Sequence, residues 1–194
     1  MADLAPLLLS VALGIGLAAA CGLRVFLPLF VTSVLAHFDV GGTGLREGFS
    51  WLASGPAMIA LGTAMVVEVL AYYIPLLDHA LDVIAVPLST AAGTLVAIST
   101  IVALPPGLAW GLAIVAGGGV AGLVSAGTAI TRVASTTTTG GLGNPVVATA
   151  ESGAAVTLSL VAWFVPVLAL VVVILLLWLS VRWLAGRWSG RRSR

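Results

Sequence analysis

Long apolar stretches, interrupted by proline, glycine or a single charge, set the pattern of this chain. Leu4 to Phe38 is apolar apart from Arg24 and His37. As one helix it would be about 52 Å long, against an apolar bilayer core of about 30 Å. It therefore has to bend or break, and Cys21-Gly22 and Pro28 are the weak points. The pattern predicts a helix over 4–21 and a shorter one over 24–38. His37 to Ser50, H-F-D-V-G-G-T-G-L-R-E-G-F-S, reads as an exposed loop with Arg46 and Glu47 solvated. Trp51 to Ile74 is the next span, with Trp51 at the interface and Ser54-Gly55-Pro56 as the helix start. Leu76 to Leu104 follows and stops at Pro105-Pro106-Gly107. Leu108 to about Ala134 carries A-G-G-G-V-A-G over 116–122, small residues that permit close helix contact. Pro145 to Trp188 contains Pro166 and needs two helices. The second, over 166–186, is aliphatic and suits a lipid-facing position, with Trp178, Trp183 and Trp188 toward its interfacial end. The count is about six to seven spans, and its parity sets the side of the N-terminus.

The interval Thr131 to Glu151, T-R-V-A-S-T-T-T-T-G-G-L-G-N-P-V-V-A-T-A-E, departs from this pattern. It predicts non-helical backbone between two membrane helices, with Asn144 capping a helix that starts at Pro145. Such backbone survives at membrane depth only where it is buried in protein or lines water. The hydroxyls of Thr136, Thr137, Thr138 and Thr139 would then face an ion, and the helix start would favour an anion. The alternative is an ordinary polar loop at the membrane surface.

Composition agrees with the pattern. The 194 residues are 60% hydrophobic and 8% charged, where a soluble domain carries roughly a quarter charged residues. The fold class is all-α: a polytopic membrane helical bundle with broken or re-entrant helices, one domain over 1–188, and a basic tail over 189–194. Half of the basic residues, Arg187, Arg191, Arg192 and Arg194, fall at the C-terminal end, which the positive-inside rule places in the cytoplasm. A net charge of +1 leaves no basic field for nucleic acid. The single cysteine, Cys21, excludes an internal disulfide and a two-cysteine metal or redox site. Its A-A-A-C-G setting resembles a lipoprotein cleavage site. However, Asp3 stands where basic residues are expected, and L-R-V-F-L-P-L-F continues as membrane sequence.

The charges Arg24, Glu68, Arg132 and Glu151 fall inside the predicted spans. A charge at the bilayer centre costs about 2.5–3.5 kcal/mol on lenient scales, so each needs a partner or water. The simplest arrangement is two Arg–Glu pairs. These either hold helices together or line a path for an ion, a proton or a small anion. Arg24, Gly55-Pro56 and Glu68 in the first half echo Arg132, Asn144-Pro145 and Glu151 in the second, a weak sign of internal duplication. Asp78, His79 and Asp82 are neighbours on a helix and offer ligands to a divalent cation. They lack the H-E-x-x-H or paired-cysteine spacing of a specific site. No G-x-S-x-G nucleophile elbow is present, which argues against a hydrolase. No cofactor is implied.

Four segments together resemble a known family: C-G-L-R-V-F-L-P-L (21–29), A-Y-Y-I-P-L-L-D-H-A-L-D (71–82), A-G-G-G-V-A-G-L-V (116–124) and S-T-T-T-T-G-G-L-G-N-P-V-V-A-T-A-E (135–151). The resemblance is to a bacterial integral-membrane family known as a domain of unknown function, DUF4126, and covers nearly the whole chain. It implies a multi-pass protein of the bacterial inner membrane and carries over no activity. The expectation is a small transporter or channel for an ion or small solute, built on Arg24, Glu68, Arg132, Glu151 and the threonine run. The rivals are a structural or accessory subunit of a membrane complex and, third, a membrane enzyme. The implied partners are the lipid bilayer, a small ion or solute, and a homo-oligomer or membrane-complex partner; the 116–122 glycine face fits such a partner and packing within the chain equally well.

Overall fold

The computed structural model describes residues 4–42 and 44–189, apart from the side chains at 75, 76, 78, 79, 180, 181 and 183–189. Its elements are helical throughout, and no strand occurs among the described residues. They are α1 (Leu4–Leu23), α2 (Phe26–His37), α3 (Gly55–Ala71), α4 (Pro75–Thr100), α5 (Pro106–Leu112), α6 (Gly119–Thr139), α7 (Asn144–Phe164) and α8 (Pro166–Ser189). A short 3₁₀ turn, Ser50–Ala53, precedes α3, and a π-helical stretch, Ala113–Gly118, joins α5 to α6. Among the described residues, four stretches are long and apolar enough to cross a membrane: Leu4–Leu23, Ala80–Thr100, Pro106–Thr139 and Asn144–Phe164. Shorter apolar helices, Phe26–His37, Gly55–Ala71 and Pro166–Leu179, complete the set. The outer surface is apolar as well, with Ile59, Val83, Val115 and Val146 largely exposed. A helix bundle that is apolar inside and out is built for lipid.

α1 is the hub. It touches α2, α4, α6, α7 and α8 and is buried along most of its length from Ser10 to Gly22. Small residues allow this. Gly14 packs on Ala97 of α4, Gly16 on Ala162 of α7 and Ala169 of α8, and Gly22 on Ala121 and Val124 of α6. The 116–122 glycine face is occupied within the chain, since Gly117 meets Ala97 and Gly93 while Gly118 and Gly122 meet Thr90. It therefore lends no support to a homo-oligomer. As far as Leu179, α8 faces largely outward, with Ala169 and Val173 in the core and Val172 and Leu177 packed against it.

The first long apolar stretch breaks at Arg24-Val25, just past Gly22, and the chain turns back on itself. Pro28 is the third residue of α2, where a missing N–H leaves no helical bond unmade. α3 opens as expected, with the Ser54 hydroxyl accepting the Ala57 N–H at 3.3 Å. It packs chiefly on α2, with Gly62 against the Phe30 ring, and Glu68 is its one buried residue.

The threonine run differs from expectation. α6 continues through it to Thr139, and the helix is interrupted only at 140–143, through left-handed Gly140 (φ 64°) and Gly141 (φ 91°). Thr138 donates to the Ala134 carbonyl at 2.8 Å and Thr139 to the Ser135 carbonyl at 2.7 Å. Hydroxyls that favour loops in water are satisfied here by the preceding helical turn.

Helix directions follow from the end contacts. The Arg46 N–H donates to the Ser99 carbonyl at 2.7 Å, and Trp163 Nε1 donates to the Val40 carbonyl at 2.7 Å. The 38–54 segment therefore shares one end of the bundle with the ends of α4 and α7. At the other end, Tyr73 Oη and Thr149 Oγ1 lie 2.8 Å apart.

Candidate functional site

Arg24 sits in the break between α1 and α2, Glu68 in the last turn of α3 with Tyr72 one turn on, Asp82 in α4, Arg132 in α6 and Glu151 in α7. They converge on one cluster in which Arg24, Glu68, Tyr72, Arg132 and Glu151 are all buried. Arg24 Nε donates to Ser152 Oγ at 3.0 Å and Nη2 to the Ala148 carbonyl at 2.8 Å. Its Nη1 lies 3.2 Å from Glu151 Oε2 and 3.4 Å from the Leu23 carbonyl. Arg132 Nη2 donates to the same Glu151 oxygen, and its Nε lies 3.7 Å from Asp82 Oδ1. Both guanidinium carbons lie over the Tyr72 ring, at 4.1 and 4.0 Å from its centroid. The remaining Glu151 oxygen, Oε1, is buried with no hydrogen-bond partner.

Glu68 is held differently. Its Oε1 accepts the Val25 N–H at 2.7 Å and its Oε2 the Phe26 N–H at 3.0 Å. The first N–H groups of a helix have no intrahelical acceptor, and α2 has no side-chain cap of its own. Glu68 supplies that cap from α3, with its charge at the positive end of the helix dipole. The expected two Arg–Glu pairs are therefore not the arrangement found. Both arginines share Glu151, while Glu68 serves backbone donors that have no acceptor within their own helix.

Two spaces adjoin the cluster. A cavity of about 10 Å³, the size of one water molecule, is lined by Arg24, Arg132, Ser89, Ser125 and Thr128 among others. A cleft of about 190 Å³ lies between α2, α3 and α4, walled by Phe26, Ala64, Val67, Ile84 and Leu88. Glu68 and Tyr72 border both.

The structure gathers Arg24, Glu68, Arg132 and Glu151, and adds Asp82. It sets the threonine run apart. Thr137, Thr138 and Thr139 are exposed at the end of α6, with their hydroxyls on the Ala134 and Ser135 carbonyls. Asn144 does not cap α7, since Gly143 stands at that position. Its Nδ2 donates instead to Thr136 Oγ1 at 3.1 Å, tying α7 to α6. Of the expected cation ligands, Asp82 faces Arg132, and the side chains of Asp78 and His79 lie outside the described residues. Sequence reasoning missed Tyr72 and Ser152 as members of the cluster. For Tyr72 the signal was spacing, one helical turn from Glu68; Ser152 carried none.

A family model for a domain of unknown function, DUF4126, matches residues 11–185. The chain belongs to the DUF4126 family. Every residue of the cluster in this DUF4126 protein lies within the matched span. No curated protein and no solved structure matches the chain.

Proposed function

We propose that this DUF4126 protein is a small multi-pass carrier or channel moving an ion or small solute across the bacterial inner membrane, with its C-terminus in the cytoplasm. One observation carries the reading: Glu68 and Tyr72 border both the buried charged cluster and a cleft in the bundle surface. Charges inside a membrane are costly, and those beside a cavity mark pathways more often than scaffolding. The basic C-terminal residues support the orientation. The test is thiol accessibility. Cys21 is replaced by alanine, and single cysteines are placed at Ala64, Ala85 and Ser125. An impermeant, water-soluble thiol reagent is then applied to intact cells and to inverted vesicles. Labelling at Ser125→Cys from either side is the expected result. Silence at all three positions from both sides means a dry cluster and ends the transport reading.

A second reading, a structural subunit, is favoured by Arg24. Its bonds to Leu23, Ala148, Glu151 and Ser152 stitch the α1–α2 turn to α7. This reading expects the silent outcome, together with a stable protein partner copurifying from native membranes.

A further inference from the structure

We propose that a cleft at the bundle end shared by the 38–54 segment and the end of α4 binds the headgroup of a zwitterionic phospholipid, its phosphate on Arg46 and its ammonium on Glu47. The site lies apart from the buried cluster and does not depend on the transport reading. Arg46 and Glu47, which the sequence pattern reads as solvated, line a cleft of about 540 Å³ together with Phe49, Val102 and Trp110. Arg46 is in fact half-buried and fixed twice. Its N–H donates to the Ser99 carbonyl at 2.7 Å, and its Nη1 donates to the Ile101 and Leu104 carbonyls at 2.7 and 3.1 Å. Among the described residues, Arg46 Nε and Nη2 have no acceptor. Glu47 is exposed and has no hydrogen-bond or ion-pair partner there, Arg46 included. The cleft thus holds one cation and one anion, side by side and each open to a ligand.

A guanidinium is planar, so anchoring Nη1 on two carbonyls orients the remaining Nε and Nη2 edge for two oxygens of one phosphate. The neighbouring carboxylate then sets the rest of the ligand. A purely anionic headgroup is opposed by Glu47, and a metal ion by Arg46. A molecule carrying phosphate and ammonium together satisfies both. The remaining wall favours a lipid over a dissolved zwitterion. Val102 and Trp110 are 48% and 46% exposed, and the Phe49 and Trp110 rings lie 6.2 Å apart. Trp51, at the same end of the bundle, is 50% exposed. Tryptophans at the ends of apolar helices mark the headgroup level of a bilayer. The exposed apolar rim gives the glycerol and the first acyl carbons a surface beside the two charges.

The experiment is native mass spectrometry of the purified full chain in uncharged maltoside micelles. Dioleoyl phosphatidylethanolamine and dioleoyl phosphatidylglycerol are added in equal amounts. The readout is the ratio of the two lipids in the species that carries one lipid. It is compared between variants, because the basic residues over 187–194 also draw anionic lipid. Glu47→Gln breaks no described contact, and it should lower the ethanolamine-to-glycerol ratio by about threefold, the size expected of one exposed ion pair. Glu47→Arg should lower it further. Asp39→Asn removes the same charge at the same end but outside the cleft, and asparagine tolerates the left-handed backbone there (φ 51°). It should leave the ratio unchanged. Arg46→Gln should reduce binding of both lipids; because Arg46 also ties the loop to α4, the Glu47 variants decide. Dioleoylglycerol, which has the chains without the headgroup, and free O-phosphoethanolamine, which has the headgroup without the chains, should both fail to displace the ethanolamine lipid at about tenfold excess. An unchanged ratio in Glu47→Gln, an equal fall in Asp39→Asn, or displacement by either fragment overturns the proposal.

Discussion

Glu68 and Glu151 are both buried carboxylates, and their surroundings predict different consequences when each loses its charge. Glu151→Gln leaves Arg24 and Arg132 facing a neutral amide in place of their shared anion. Breaking a buried pair by removing one partner costs about 3–5 kcal/mol. Glu68→Gln keeps one carbonyl oxygen for one of its two N–H donors, and the loss should be nearer about 1–3 kcal/mol. Thermal unfolding of the two variants in the same detergent decides the order, and a more damaging Glu68→Gln would refute this division of roles. The four intramembrane charges were legible as residues. Their pairing was not, because the partner of Glu68 is a pair of backbone N–H groups. Those donors are orphaned only once the chain breaks at Arg24-Val25, and a backbone group carries no letter in a sequence.

At the scale of elements, prolines and glycines marked the boundaries well. Ser54, Pro56, Pro75, Pro106, Pro145 and Pro166 all fall at helix starts. The threonine run misled because hydroxyl side chains favour turns in water, whereas among apolar helices the carbonyls of the preceding turn are their nearest acceptors. The internal glycines are a sharper test of the packing. A Cβ on Gly93 would lie 3.1 Å from the Gly117 carbonyl oxygen and collide with the Ala121 methyl, so α4 and α6 would have to part. Gly93→Val is expected to destabilise the bundle by about 1–3 kcal/mol. Gly111 has nothing near the place a Cβ would take, and Gly111→Ala should be neutral or stabilising by up to about 1 kcal/mol. Midpoints of thermal unfolding for the two variants read out both effects.

For the whole molecule, the seven apolar helical segments among the described residues alternate in direction, as the contacts of Gly14 with Ala97, Gly93 with Gly117, Arg24 with Ala148 and Trp163 with Val40 require, which predicts that the start of α1 and the end of α8 fall on opposite faces of a membrane. Single cysteines at Gly44 and Leu142 in a Cys21→Ala background should therefore label from opposite sides, with Leu142→Cys on the side where α8 ends. Labelling of both from one side would contradict the arrangement. The fold also constrains how the chain is made. Glu68 is synthesised 43 residues after Val25, and Ser152 128 residues after Arg24. The first helical hairpin thus leaves the ribosome with an unmatched guanidinium and open N–H groups at its tip, long before their partners exist. A chain halted before α7 would keep that guanidinium without the Ala148, Glu151 and Ser152 oxygens that receive it, so a truncation at 143 should insert less stably than the full chain.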